Sequence, residues 1–240
     1  MKINVNILKG FLVLGMMIFL FGFSKNRNQQ RIQKNILIEY TNPNSVFITE
    51  EDVNNLLIVK NQPYRKKVKD SLVLNELEKV LNQHPMIAKA EVYQTVNKSL
   101  GIQITQREPL ARVMGAESFY VDTEGDRMPL SRNYSARVPL LSGMDSLDLK
   151  QIYPLLTKIR QDEFFNKKIT GISKNKKNDF ILSLRTSSVQ VNFGKITELD
   201  EKLKNFKAFY TKAYQENILD TYTMVNLKYT NQVVCTKKQT

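Results

Sequence analysis

The chain has 240 residues, 42% hydrophobic and 25% charged, an ordinary globular composition with room for one large domain or two small ones. Its net charge of +13 favours an anionic neighbour, but the basic residues fall in short groups (Arg65, Lys66, Lys67 and Lys69; Lys174, Lys176 and Lys177; Lys237 and Lys238) with no interleaved stacking aromatics, which argues against a nucleic-acid binder. Cys235 and His84 are each single and far apart, so no internal disulfide, cysteine-built metal site or evident nucleophile–base pair is available.

Near the start, "GFLVLGMMIFLFGFS" (10–24) carries no charge. As a helix it spans about 22 Å, short of the roughly 30 Å hydrocarbon core. Ile3 to Lys9 supply the missing length if Lys9 snorkels toward the headgroups. A cleaved signal peptide would need small residues before the cut, where the chain has Phe21, Gly22, Phe23 and Ser24. The expectation is a leader over 1–9 and an uncleaved membrane anchor over 10–24. Lys2 and Lys9 flank one side and Lys25, Arg27, Arg31 and Lys34 the other, so a bare charge count would place the bulk of the chain in the cytoplasm.

A first domain is expected over 35–112. "NILIEY" reads as a strand. In "VFITEEDVNNLL", Thr49 is an N-cap with Asp52 in the box position, Ile48 can staple onto Val53, and Val53, Leu56 and Leu57 share a face. A basic loop (Asn61 to Lys69) precedes a second helix, "NELEKVLNQHP", with Asn75 as cap, Glu78 closing the box, Leu77, Val80 and Leu81 inward, and a stop at Pro85. His84 lies at the helix end, where a charged imidazole complements the dipole. "MIAKAEVYQTV" and "SLGIQITQREP" alternate as two strands about a turn near Asn97 to Ser99. The order is β-α-α-β-β, two helices on one face of a three-stranded sheet.

A second, β-rich domain is expected over 113–236, with a basic tail at 237–240. "SFYVDTEGDRMPLS" is a hairpin about Glu124-Gly125. Asp122, Glu124 and Asp126 lack the glycine position and closing glutamate of a calcium loop. After the short strand "VPLLSG", "SLDLKQIYPLLTKIRQDEFF" is helical with Leu149, Ile152, Leu156 and Ile159 inward and a kink or break at Pro154. "KITGIS", "DFILSL" and "SVQVNFG" are strands. In "TELDEKLKNFKAFYTKAY", Thr197 and Asp200 form a capping pattern ahead of a Leu199, Leu203, Phe206, Phe209/Tyr210 stripe. "VNLKYTNQVVCTKKQT" reads as one final strand, apolar at Val225, Leu227, Tyr229, Val233 and Cys235 and broken only at Asn231. Such a strand either closes its sheet, with Lys237 and Lys238 guarding it, or offers an edge to a partner. No Ser/His/Asp arrangement, P-loop, G-x-G-x-x-G or metal-ligand cluster is present.

"ITEEDVNNLL" and "LEKVLNQHPMIAKAEVYQTVNKSLGIQITQREPLARV" resemble the POTRA domain of the FtsQ/DivIB cell-division family, with Met86 where many relatives carry Trp. "FYVDTEGDRMPLS", "VPLLSG", the "KL" helix after Gly194 and "VNLKYTNQVVCTKK" resemble its Bacteroidetes-type members. The resemblance implies an α+β fold: a transmembrane helix, a POTRA domain, then a β-rich domain with helices on the sheet. It also implies an inner-membrane, single-pass protein with a cytoplasmic N-terminus, a periplasmic bulk and enrichment at the division septum. The implied role is a non-enzymatic divisome scaffold without cofactor, bound to FtsB and FtsL and through them to septal peptidoglycan synthases. Matching positions carry the partner contact to Tyr229, Asn231 and Gln232, and further to Val233, Val234 and Thr236. The alternative is a POTRA component of outer-membrane assembly or secretion, against which about 125 remaining residues with two helices are too few for a membrane β-barrel.

Overall fold

The computed structural model describes residues 5–30, 36–42, 47–58, 71–95, 99–229 and 232–239. The chain divides into two compact units, Met1–Asn44 with Ile48–Gln106, and Ser45–Phe47 with Arg107–Thr240.

Helix α1 (Val5–Gln30) opens the first unit. Ten of its apolar side chains between Leu12 and Phe23 are 53–76% exposed, so they are not held by a protein core. Among the described residues no helix is long and apolar enough to cross a membrane. The side chains of Ile3 to Lys9, on which the expected span draws for length, and of Lys25, Arg27, Arg31 and Lys34 lie outside the described residues.

The remainder of this unit comprises β1 (Ile36–Tyr40), α2 (Glu50–Ile58), α3 (Ser71–Asn82), β2 (Ile87–Gln94) and β3 (Leu100–Gln106). The sheet order is β1-β3-β2, with β1 parallel and β2 antiparallel to β3. Before α2, Thr49 Oγ1 accepts from the Asp52 amide at 3.2 Å and Asp52 Oδ2 from the Thr49 amide at 2.9 Å, the reciprocal bonds of a capping box. Val53, Leu57, Leu77 and Leu81 from the helices meet Ile87, Ala90, Val92, Leu100, Ile102 and Ile104 from the sheet in one apolar cluster.

Helix α3 differs from its expected start. It begins at Ser71, which leaves Asn75 exposed within the helix rather than capping it. Glu78, freed from a capping role, takes the Val92 amide at 3.2 Å. Asn82 forks onto Ala90, donating to its carbonyl at 3.2 Å and accepting from its amide at 2.7 Å. These bonds satisfy the outer margin of β2, so packing of the helix against that strand decides its length more than the local cap pattern does. The loop Asn61 to Lys69 and turn residues Asn97 and Lys98 lie outside the described residues.

His84 is also read differently from the structure. Its Nδ1 accepts the Met86 amide at 3.3 Å, which requires an unprotonated nitrogen. Burial lowers its pKa, opposed in part by Asp52. The neutral ring, not a charged one, belongs to the fold. A base whose folded pKa is depressed contributes stability above its unfolded value, near 6.5, that is lost as pH falls through the folded value. Thermal melts of the full chain should therefore lose more stability between pH 7 and pH 5 than melts of His84→Asn, and parallel curves would contradict this.

The second unit contains β4 (Pro109–Val113), β5 (Phe119–Asp122), β6 (Arg127–Met128), β7 (Leu140–Ser142), α4 (Ser146–Gln161), α5 (Glu163–Lys168), β8 (Ile169–Lys174), β9 (Phe180–Leu184), β10 (Gln190–Gly194), α6 (Leu199–Gln215), β11 (Tyr222–Asn226) and β12 (Val234–Lys237). They form one nine-stranded sheet, order β12-β11-β10-β9-β8-β7-β4-β5-β6. Three adjacent pairs, β4/β7, β7/β8 and β10/β11, are parallel. Each parallel pair needs a crossover; the segment carrying β5 and β6 supplies the first, and the helical crossovers α4–α5 and α6 supply the other two. Strands β8 and β10 both run antiparallel to β9, so β7 and β10 point the same way, and both crossovers step toward the same margin. With the usual right hand, both place their helices on one face of the sheet. Side chains agree: Phe165 stacks on Phe206 at 6.3 Å between ring centroids, and Lys158–Asp200 and Lys207–Asp162 bridge the helices at 2.8 Å. Beneath them Ile152, Leu155, Leu156, Leu203 and Phe206 meet Ile172, Leu182, Val191 and Val225 in the larger core, each large side chain contributing roughly 1.5–3 kcal/mol.

Three local expectations change here. Strand β4, which the sequence reading assigns largely to the first domain, pairs with β5 and β7 in the nine-stranded sheet. Pro154 does not divide α4, because buried Leu155, Leu156 and Ile159 hold the following turns on the sheet; the break falls at Asp162, whose Oδ1 takes the Phe164 amide at 2.8 Å and starts α5. Thr197 does not cap α6; the N-cap is Glu198, in the left-handed region at φ 53° with no side-chain cap bond. Thr197 Oγ1 instead receives the buried Lys202 ammonium at 3.4 Å, alongside the carbonyls of Phe193 and Lys195.

Candidate protein-docking edge

The terminal stretch is two strands, not one. β11 and β12 are antiparallel, with Met224 opposite Thr236, Val225 opposite Cys235 and Asn226 opposite Val234. The apolar alternation reads through both because Val225 and Leu227 on one strand and Val233 and Cys235 beside it on the other face the same core. The polar run Lys228 to Gln232 is the connection between them.

The α6 crossover lays β11 beside β10, and β12 folds back along its remaining side, at the margin of the sheet. The direction of its backbone groups follows from two bonds. The Lys238 amide donates to Thr221 O at 2.8 Å, and Thr236 O accepts from Thr223 Oγ1 at 3.2 Å. Lys238 and Thr236 therefore turn their groups toward β11. The register irregularity omits Thr223 of β11 and no residue of β12, so alternation along β12 is intact. Cys235 and Lys237 consequently direct their N–H and C=O groups away from the sheet.

The side chains alternate as well. Val233 and Cys235 pack against the core, while Val234 (41% exposed) and Thr236 face outward. Tyr229 lies in the connection with half its surface exposed, followed by an exposed Gln232; Asn231 lies outside the described residues. The structure thus brings Gln232, Val233, Val234 and Thr236 together on or next to the marginal strand, and places Tyr229 in the turn before it. Burial pushes the Cys235 thiol up, so it sits there as a neutral, mostly apolar side chain.

Two other margins, those of β6 and β2, are better closed. At the far end of the same sheet, β6 has only two residues, and Arg127 there is held by Glu117 at 2.8 Å and over the Phe119 ring at 4.3 Å. In the first unit Asn82 and Glu78 cover β2. The acidic hairpin is braced as a turn. Asp122 accepts Arg107 at 2.6 Å and the amides of Glu124 and Asp126 at 3.0 and 2.8 Å, and Gly125 takes φ +86°. Among the described residues no three His, Cys, Asp or Glu side chains converge to hold a metal ion.

Comparison with known proteins places both units. The family described as "FtsQ/DivIB, C-terminal related" matches residues 108–236, and a POTRA-like domain matches residues 33–105. The chain is similar to Cell division protein FtsQ of Rhodothermus marinus, 26% identical over 167 residues. That alignment takes in 63% of this chain and 61% of the relative, so the chain spans less than two thirds of that protein's length. The first match coincides with the nine-stranded unit and ends within β12, covering more than half of the sequence, and the chain belongs to the FtsQ/DivIB family.

Proposed function

We propose that this protein is a membrane-anchored scaffold of bacterial cell division. It docks the FtsB homologue, in complex with FtsL, along β12 and the turn before it, and through them helps position septal peptidoglycan synthases. It acts by association, not by chemistry on a substrate. The observation that carries this reading is the marginal strand itself: outward backbone groups at Cys235 and Lys237, beside exposed Val234, Thr236 and Tyr229. A partner strand added there would satisfy those groups and read alternate side chains. The exposed apolar surface of α1 favours burial in a bilayer once Ile3 to Lys9 extend it, with a cytoplasmic N-terminus and the two units outside the inner membrane.

Affinity capture from dividing cells tests the reading. The full chain should bring down the FtsB and FtsL homologues, and a chain ending at Gln232, checked for a cooperative melt, should not. Equal recovery with both would overturn docking on β12.

A further inference from the structure

The chain leaves β11 under unusual constraint. The Leu227 amide donates to Asn192 O at 2.8 Å, and the Lys228 amide to Asn226 Oδ1 at 3.0 Å. The Lys228 side chain then folds back over the end of the sheet. Its stem crosses Gly194, where a Cβ would lie 2.6 Å from Lys228 Cγ and where φ is +74°, so the crossing requires a glycine on both counts. Its ammonium reaches Asp179 Oδ2 at 3.2 Å. Asp179 is almost fully buried, at 8% of its side-chain surface, and its backbone is pinned by Asn175: the Asp179 amide donates to Asn175 Oδ1 and the Asn175 amide to Asp179 O, both at 3.0 Å. Lys228 is thereby tied to Asp179, just before β9, and to Gly194 at the end of β10, while the very next residue, Tyr229, stands exposed.

We propose that Lys228 is a positioning residue for the docking edge: seated on Gly194 and bonded to Asp179, it fixes the course of the chain from β11 into the turn, and so the aim of Tyr229 and β12. This rests on the docking reading above. A hairpin already held in its binding geometry does not have to be ordered when a partner arrives, and an edge that is competent only part of the time binds more weakly in proportion. Asp179 is too buried to serve as the partner's contact, which separates positioning from direct recognition.

The test measures binding of the full-length protein, in detergent or nanodiscs, to the purified FtsB homologue, with hydrogen exchange at the amides of 227–235 followed in parallel. Lys228→Met keeps the stem and removes the bond; Asp179→Ala removes it from the buried side; Lys228→Arg retains it. Both bond-breaking variants should bind about tenfold more weakly, as for an edge competent a tenth of the time. Their turn amides should exchange faster than the fall in melting temperature accounts for, a fall expected because Lys228→Met leaves the buried Asp179 carboxylate unpaired, and Lys228→Arg should match wild type. Weakening by Lys228→Met with wild-type binding by Asp179→Ala would mean that Lys228 touches the partner itself, which overturns positioning. Wild-type affinity and exchange in both variants would also overturn it. If these variants are silent while Tyr229→Glu loses binding, only the positioning role falls; if Tyr229→Glu also binds normally, the docking reading falls with it.

Discussion

Replacing Tyr229 with glutamate should weaken binding of the FtsB homologue by about 30-fold or more while leaving the melting temperature within a degree or two of wild type. Tyr229 is 52% exposed after β11 and, among the described residues, makes no ring contact with the core, so little native packing is lost. Exposed tyrosines at interface centres account for about 2 kcal/mol or more of binding when removed, which is the fold-change stated. Glutamate adds a charge that a dry contact would have to desolvate. Calorimetry or surface-plasmon titration of the full-length protein checks the effect. A folded variant with wild-type affinity would remove Tyr229 from the interface.

The second large effect comes from the backbone. Proline at Cys235 deletes an outward N–H and obstructs the approach of another strand, yet leaves the bonds to β11 in place. Proline is tolerated on an edge strand in that orientation. Proline at Thr236 deletes a group that faces β11 and breaks the ladder. Cys235→Pro should thus lose binding by tenfold or more with a modest change in melting temperature. Thr236→Pro should be destabilised by on the order of 1–3 kcal/mol, the cost of stranding a ladder partner. The contrast between neighbouring positions is the informative result, because general damage to the C-terminal hairpin would affect both alike.

Much of this architecture is legible from periodicity and caps. The Thr49/Asp52 box, the Leu77/Leu81 face, the strands β8 to β10 and the Leu203/Phe206/Tyr210 stripe all form where local chemistry places them. What local chemistry misreads has a common cause in tertiary contact. Asn75 and Glu78 have the spacing of a cap, but Glu78 is needed at the Val92 amide. Pro154 should break a helix, but Leu155, Leu156 and Ile159 each bury a full side chain beyond it. Thr197 has the right spacing to Asp200, but its hydroxyl receives Lys202 instead.

The candidate site shows the same division. That the last segment is β-structure with Val233 and Cys235 inward can be read from the sequence. That it is a hairpin, with β12 at the sheet margin, depends on the α6 crossover setting β11 parallel to β10, a pairing that no short window of sequence encodes. The Lys228–Asp179 bond joins residues 49 apart in sequence and has no local signature at all.

The most direct measurement is residue-resolved amide hydrogen exchange in β12, with and without the FtsB homologue. In the free protein Thr236 and Lys238 should already exchange slowly, because their amides face β11, and Cys235 and Lys237 quickly. Saturating partner should slow Cys235 and Lys237 by two orders of magnitude or so, as their amides enter a new ladder. Saturated binding with those two amides still exchanging at their free rates would mean that the partner engages some other surface, and that the margin of β12 is not where this protein makes its attachment.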